Sequence, residues 1–223
     1  MAIRVPRKPS NAYQHGNLRH ALVQAGLRLL AEGGAQNLSL RAAAQLAGVS
    51  HAAPYRHFAD KDALVAAIAE EGFGLLTAHL REGVANSRSE SFSERLREMA
   101  VGYVMFALQH PAYLRVIFGG VIKKESAPDS LRIAGEAAYG VLRDLVAQGV
   151  AADAFRAGDP DEMALSCWTM THGFGMLLTD KALPHHLSES MAAEAMTRTM
   201  VDFLLTGIVN SAKPVRPKKR TNL

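Results

Sequence analysis

Between residues 48 and 64 the chain reads GVSHAAPYRHFADKDAL. Two histidines, a tyrosine, an arginine and a lysine crowd this stretch. No carboxylate stands at a spacing that would turn any of them into a nucleophile–base pair. What the set can do is hold an anion. Tyr55 and His57 carry donors able to reach phosphate oxygens, and Arg56 can reach phosphate or guanine. Ala52 and Ala53 let a backbone lie near base edges, where an alanine methyl can touch a thymine methyl. Lys61 opens a later helix, where a cation opposes the helix dipole. That cost makes sense if the ammonium points at a phosphate.

The charge distribution agrees. Residues 1–61 hold eight Lys/Arg against two acids, Glu32 and Asp60, a net +6. Residues 212–223 hold five basic residues and no acid. The whole chain carries +4, so the middle, 62–211, stands at −7. A basic first quarter and tail around an acidic bulk suit a polyanionic partner for the N-terminal part. Arg4, Arg7 and Lys8 and the tail would add attraction that falls with salt.

Other chemistry is set aside on its spacing. Cys167 is the single cysteine, so no internal disulfide is possible, and a reducing cytosol is the expected compartment. Beside Trp168 on an apolar helix it reads as inert core. His185-His186 are adjacent, would splay apart on a helix and have no third ligand nearby, so no metal site is expected. Gly33-Gly34 and Gly119-Gly120 lack the Gly-Lys-Ser/Thr of a phosphate loop, and no cofactor fingerprint appears. Ile3–Lys8 is not followed by an apolar segment, so no signal peptide is expected. The apolar runs are too short for a bilayer, so no membrane partner is expected either.

The elements that must position these residues are helical. Strand-like alternation is absent, while Leu18, Leu22, Ala25 and Leu29 recur at helical spacing. Gly33-Gly34 ends that first helix. Ser39 caps a second, over about 40–47, and Gly48-Val49-Ser50 makes a turn. Ser50 then caps a third helix running to about Phe58, with Pro54 in its first turn, where the missing N–H forfeits one bond. Val49 and Phe58 would be core. Asp60 caps a long fourth helix over about 61–84. Further helices are expected at about 92–110, 111–118, 128–151, 160–178 and 189–207, and the tail has no core residues. The predicted fold is all-α. It has an arm and helix-turn-helix domain over 1–61, a helical domain over 62–211 and a basic tail over 212–223.

A short helix, a glycine turn and a second short helix form the motif that enters a DNA major groove. Its details resemble those of the TetR/AcrR family of bacterial transcriptional regulators. Ala47-Gly48-Val49-Ser50, Tyr55-Arg56-His57-Phe58 and Lys61-Asp62-Ala63-Leu64 match the family pattern in order and spacing, although Pro54 stands where Leu or Ile is commoner. Ala52-Ala53-Pro54-Tyr55 and Trp168-Thr169-Met170-Thr171-His172-Gly173 resemble a subgroup with a Trp-x3-His-Gly signature. The resemblance implies phosphate contacts from Tyr55, His57 and Lys61. It implies base or phosphate contacts from Ser50, His51, Ala52 and Ala53, with Ser39 and Arg41 in support. It also implies a homodimer reading a near-palindromic operator, more often in repression than in activation.

In the second domain Met163, Cys167, Met170, Phe174 and Leu178 make one apolar stripe, and Leu165, Trp168, His172 and Met176 another. A helix apolar on two sides is buried on both. Met163, Cys167, Phe174, Met196, Met200, Phe203 and Leu204 are therefore expected at a dimer interface. Trp168 and His172, with Tyr103, Met105, Phe106, Tyr113, Phe118 and Met170, are expected to enclose a small, mostly apolar effector. Its coupling to DNA would be on the order of 1–3 kcal/mol. Two rivals stand beside this reading. One is an architectural DNA binder without sequence preference. The other is an enzyme using His172 as base, for which no nucleophile, metal set or cofactor site is found.

Overall fold

The computed structural model describes residues 15–122, 127–185 and 192–206. Arg4, Arg7, Lys8, His186 and the tail from 212 lie outside them, with the expectations placed there. All regular structure among the described residues is helical. Its elements are α1 (His15–Gly33), α2 (Leu40–Leu46), a 3₁₀ turn (Pro54–Arg56), α3 (Lys61–Ala85), α4 (Phe92–Gln109), α5 (Pro111–Phe118), α6 (Asp129–Ala151), α7 (Pro160–Thr179) and α8 (Ala193–Thr206). The described residues form two compact units, one of residues 15–74 with 110–122 and 127–136, the other of residues 75–109 with 137–185 and 192–206. Each of α3 and α6 thus contributes to both units, and α5 belongs to the first.

In the first unit α1 packs on α2 and α5. Its buried side is Leu22, Val23, Ala25 and Leu30. Leu18 and Leu29, expected on that stripe, are only half-buried. The first turns of α3 bury Leu64, Val65, Ala66, Ala67, Ile68 and Ala69. Leu64 and Ile68 are fully enclosed, each worth about 1.5–3 kcal/mol of transfer free energy. The caps follow the residue types. Ser39 Oγ accepts from the Ala42 amide at 3.1 Å, and Asp60 Oδ1 from the Ala63 amide at 2.8 Å. Such a cap is typically worth about 1 kcal/mol. α3 is also long and apolar enough to cross a membrane, but half of its apolar window is buried inside the protein, as in a core helix.

In the second unit α4 packs on α7 and α8. It meets the last turns of α3 closely, since a Cβ on Gly102 would stand 2.4 Å from the His79 carbonyl oxygen. The buried line of α7 is Ala164, Cys167, Thr171 and Gly175, and the Thr171 hydroxyl donates to the Cys167 carbonyl at 2.8 Å. Arg198 of α8 holds Glu98 of α4 in a two-pronged pair at 2.8 and 3.0 Å.

Candidate nucleic-acid interface

The reading segment starts where α2 stops. Gly48 takes φ +70°, a left-handed geometry that costs glycine nothing. Its amide and that of Val49 return to Gln45 and Ala44. Beyond it the expected third helix, Ser50–Phe58, does not form. Turns lead into the 3₁₀ turn at Pro54–Arg56, whose cap position is Ala53, so Ser50 is not a helix cap. All but one of the bonds run three residues apart, and the last, from Phe58 N to Pro54 O at 2.9 Å, runs four. Ala53 N donates to Ser50 O at 3.0 Å, Arg56 N to Ala53 O at 3.3 Å and His57 N to Pro54 O at 2.9 Å. The proline accounts for the break at Ser50. An α-helix would satisfy the Ser50 carbonyl from the amide of residue 54, and Pro54 has none. The bond forfeited is the one that would have closed the first turn.

Two side chains pin this segment. Pro54 is buried and Phe58 is 3% exposed. The Arg19 guanidinium of α1 stands over the Phe58 ring, 5.6 Å from its centroid. Between and before the pins the donors face outward. Tyr55 is 56% exposed. Ser50, His51, Ala52 and Arg56 are exposed, and Ala53 and His57 half-exposed. Arg41 is exposed on α2, while Ser39 spends its hydroxyl on the cap. Val49 is half-buried and serves only in part as core. The Lys61 ammonium donates to the Ala35 carbonyl in the turn after α1, so it ties that turn to the start of α3. An ammonium has three donors, and a phosphate could take another.

The residues expected around an effector fall into both units. In the second, the Tyr103 hydroxyl and His172 Nδ1 are 2.6 Å apart, and Trp168 also hydrogen-bonds the Tyr103 hydroxyl. The Trp168 ring lies 5.6 Å from His172 and stands edge-on to Tyr139 at 6.2 Å. Burial holds the Tyr103 hydroxyl well above the usual tyrosine range and holds His172 below the usual histidine value. Phe106 is fully buried, and Met105 and Met170 are half-buried. Tyr113 and Phe118 belong to the first unit instead. Tyr113 donates to Glu71, and Phe118 stands edge-on to Phe73 at 6.0 Å.

The second unit also holds a cleft of about 710 Å³. Leu96, Val146, Phe155, Met163, Cys167 and Leu204 supply apolar wall, and Ser93, Arg156 and Glu162 supply polar wall. Met163, Cys167 and Leu204, expected at a dimer interface, therefore line a cleft within the unit. Burial raises the Cys167 thiol to about 11, which keeps it protonated and unreactive. Phe174, Met196 and Met200 are half-buried. Phe203 is 58% exposed, and so are two residues absent from the expected set, Leu165 at 51% and Leu177 at 45%. Helical spacing marks all of these as apolar but does not say which side another element covers.

A glycine turn that leads from α2 into a short 3₁₀ turn with outward donors is the pattern of a helix-turn-helix DNA-binding protein. The comparisons agree at both ends. Residues 22–68 match the family "Bacterial regulatory proteins, tetR family", and residues 96–204 match "Tetracyclin repressor-like, C-terminal domain". The HTH-type transcriptional regulator Rv1816 of Mycobacterium tuberculosis is 26% identical over 167 residues, 73% of this chain and 71% of that protein. A solved structure of a protein of unknown function from Rhodococcus sp. RHA1 is 32% identical, with TM-score 0.76, covering 88% of this chain and 98% of that one. The TetR family regulator PfmR from Thermus thermophilus has the same fold at 19% identity and TM-score 0.67, covering 85% of this chain and 96% of that one. The chain belongs to the TetR family and is a DNA-binding transcriptional regulator.

Proposed function

We propose that the protein is a repressor that binds a near-palindromic operator as a homodimer and leaves it when a small, mostly apolar effector binds. The observation that carries the reading is the outward face of Tyr55 between the buried Pro54 and Phe58. It presents a phosphate donor on a turn pinned by two buried side chains. Tyr55, His57, Arg56 and Lys61 grip phosphates. Ser50, His51, Ala52 and Ala53 lie against base edges, with Arg41 and Ser39 in support. Partners of this kind need no cofactor and no membrane, and the site of action is the cytoplasm.

The second copy docks on the exposed apolar residues Leu165 and Leu177 of α7 and Phe203 of α8, with Met196 and Met200 beside them. Gly173 supports close approach there, because a Cβ on it would meet nothing within 4 Å. The effector belongs to the second unit. The volume of the cleft suits a drug-sized ligand. Trp168, Tyr103 and His172 form a hydrogen-bonded chain that fits the Trp-x3-His-Gly subgroup. Met163→Trp, which would fill the cleft, and His172→Ala separate these two places as effector sites.

Selection of bound fragments from random duplex DNA tests the whole. The expected product is one half-site repeated in inverted order about one helical turn apart. It should be preferred over random duplex by about 10³-fold or more. Equal binding to all sequences would favour an architectural binder instead.

A further inference from the structure

Two neighbouring carboxylates on α3, Glu70 and Glu71, gather partners from three other helices of the first unit. Glu71 Oε1 accepts from Gln24 Nε2 of α1 at 2.5 Å and from the Tyr113 hydroxyl of α5. Gln24 Nε2 also donates to the Tyr113 oxygen at 2.9 Å, and His20 Nδ1 of α1 lies 3.4 Å from the other Glu71 oxygen. Glu70 accepts from Ser130 Oγ, in the first turn of α6, at 2.5 Å and faces Arg19 of α1 at 3.8 Å. Arg19 in turn covers Phe58, the inner pin of the reading turn. Three α1 side chains are thus held, through α3, to α5 and α6.

Ion and hydrogen-bond sets as open to solvent as these add little net stability, because water screens the attraction and ordering the side chains costs entropy. What they provide is orientation. Around Glu71 the angular demand is high, since three groups converge on one carboxylate. The elements tied there are also suggestive. α1 packs on α2 and reaches the reading turn through Arg19. Only His110 separates the end of α4, in the second unit, from the start of α5, and α6 runs on past residue 136 into the second unit.

We propose that Tyr113 and Glu71 are positioning residues for DNA reading: their bond to Gln24 sets where α1 lies on α3, and α1 sets the reading turn through Arg19 and Phe58. This rests on the operator-binding reading above. Loss of the Tyr113 hydroxyl leaves Gln24 with Glu71 alone, loosens α1 on α5 and blurs the match to base edges. Phosphate donors such as Tyr55 and Arg56 stay on the surface, so attraction to any duplex survives.

Tyr113→Phe and Glu71→Ala test the proposal in the full chain. Amide exchange over residues 18–30 of the DNA-free protein should quicken about tenfold, with α7 and α8 unchanged. Affinity for the selected operator should fall about tenfold, while affinity for random duplex and the salt slope stay at the wild-type value. The double variant should be worse than either single one but by less than the sum, because the two share the Tyr113–Glu71 bond while each alone leaves Gln24 one partner. Unchanged exchange in α1 would overturn the proposal. So would exchange that quickens equally in α7 and α8, or a parallel loss of operator and random-duplex binding, since either marks a structural role. If no operator can be selected, the operator reading fails, and α1 exchange still judges the clamp.

Discussion

The Tyr103 hydroxyl stands 2.6 Å from His172 Nδ1 in the second unit, with Trp168 bonded to the same hydroxyl. Burial keeps His172 below its ordinary pKa of about 6.5. The unfolded chain therefore takes up a proton first as pH falls. The stability contributed is present above about 6.5 and is lost as pH drops through the folded value. Urea midpoints measured from pH 8 to pH 5 should decline in the wild type. In His172→Gln that part of the decline should disappear, and an identical slope in both would remove His172 as its source.

Phe58 and Tyr55 sit on one short turn yet should answer differently to substitution. Phe58→Ala opens a cavity under the turn and should cost about 3–5 kcal/mol in denaturant unfolding. Tyr55→Phe removes one exposed hydroxyl and should change stability by less than about 0.5 kcal/mol. It should weaken operator and random duplex alike, as expected for a phosphate contact. A Tyr55→Phe protein that lost sequence preference but kept its general affinity would assign the hydroxyl to a base.

Pro54→Leu restores an amide that the Ser50 carbonyl can accept. The segment 50–58 should then gain α-helical character, visible as a bond from residue 54 to Ser50 in amide exchange and carbon chemical shifts. The net stability change should stay within about 1 kcal/mol, because the new bond is offset by the freedom the unfolded chain regains. Persistence of the 3₁₀ turn would mean that tertiary packing, not the missing N–H, selects it.

Phe203→Lys places a charge on the exposed apolar side of α8. Sedimentation at micromolar concentration should show wild-type dimer and variant monomer, with the melting temperature of the second unit little changed. An unaltered dimer would move the interface off this face.

Much of this protein is written in local residue chemistry. Ser39 and Asp60 cap helices, Gly48 turns left-handed and Pro111 and Pro160 open α5 and α7, because caps, turns and first-turn prolines depend on residues a few positions apart. The reading segment was legible for the same reason. Its true form was not, since losing one bond at the proline and gaining three-residue turns are close in energy. Packing decided the rest. Leu165 and Cys167 are both apolar and two positions apart on α7, yet one is exposed and the other buried on a cleft. Arg19 has no sequence signal that joins it to Phe58, nor Gln24 to Glu71 and Tyr113. Such contacts join residues far apart in the chain. Periodicity tells which side of a helix is apolar, but only the arrangement of helices in space determines what that side meets.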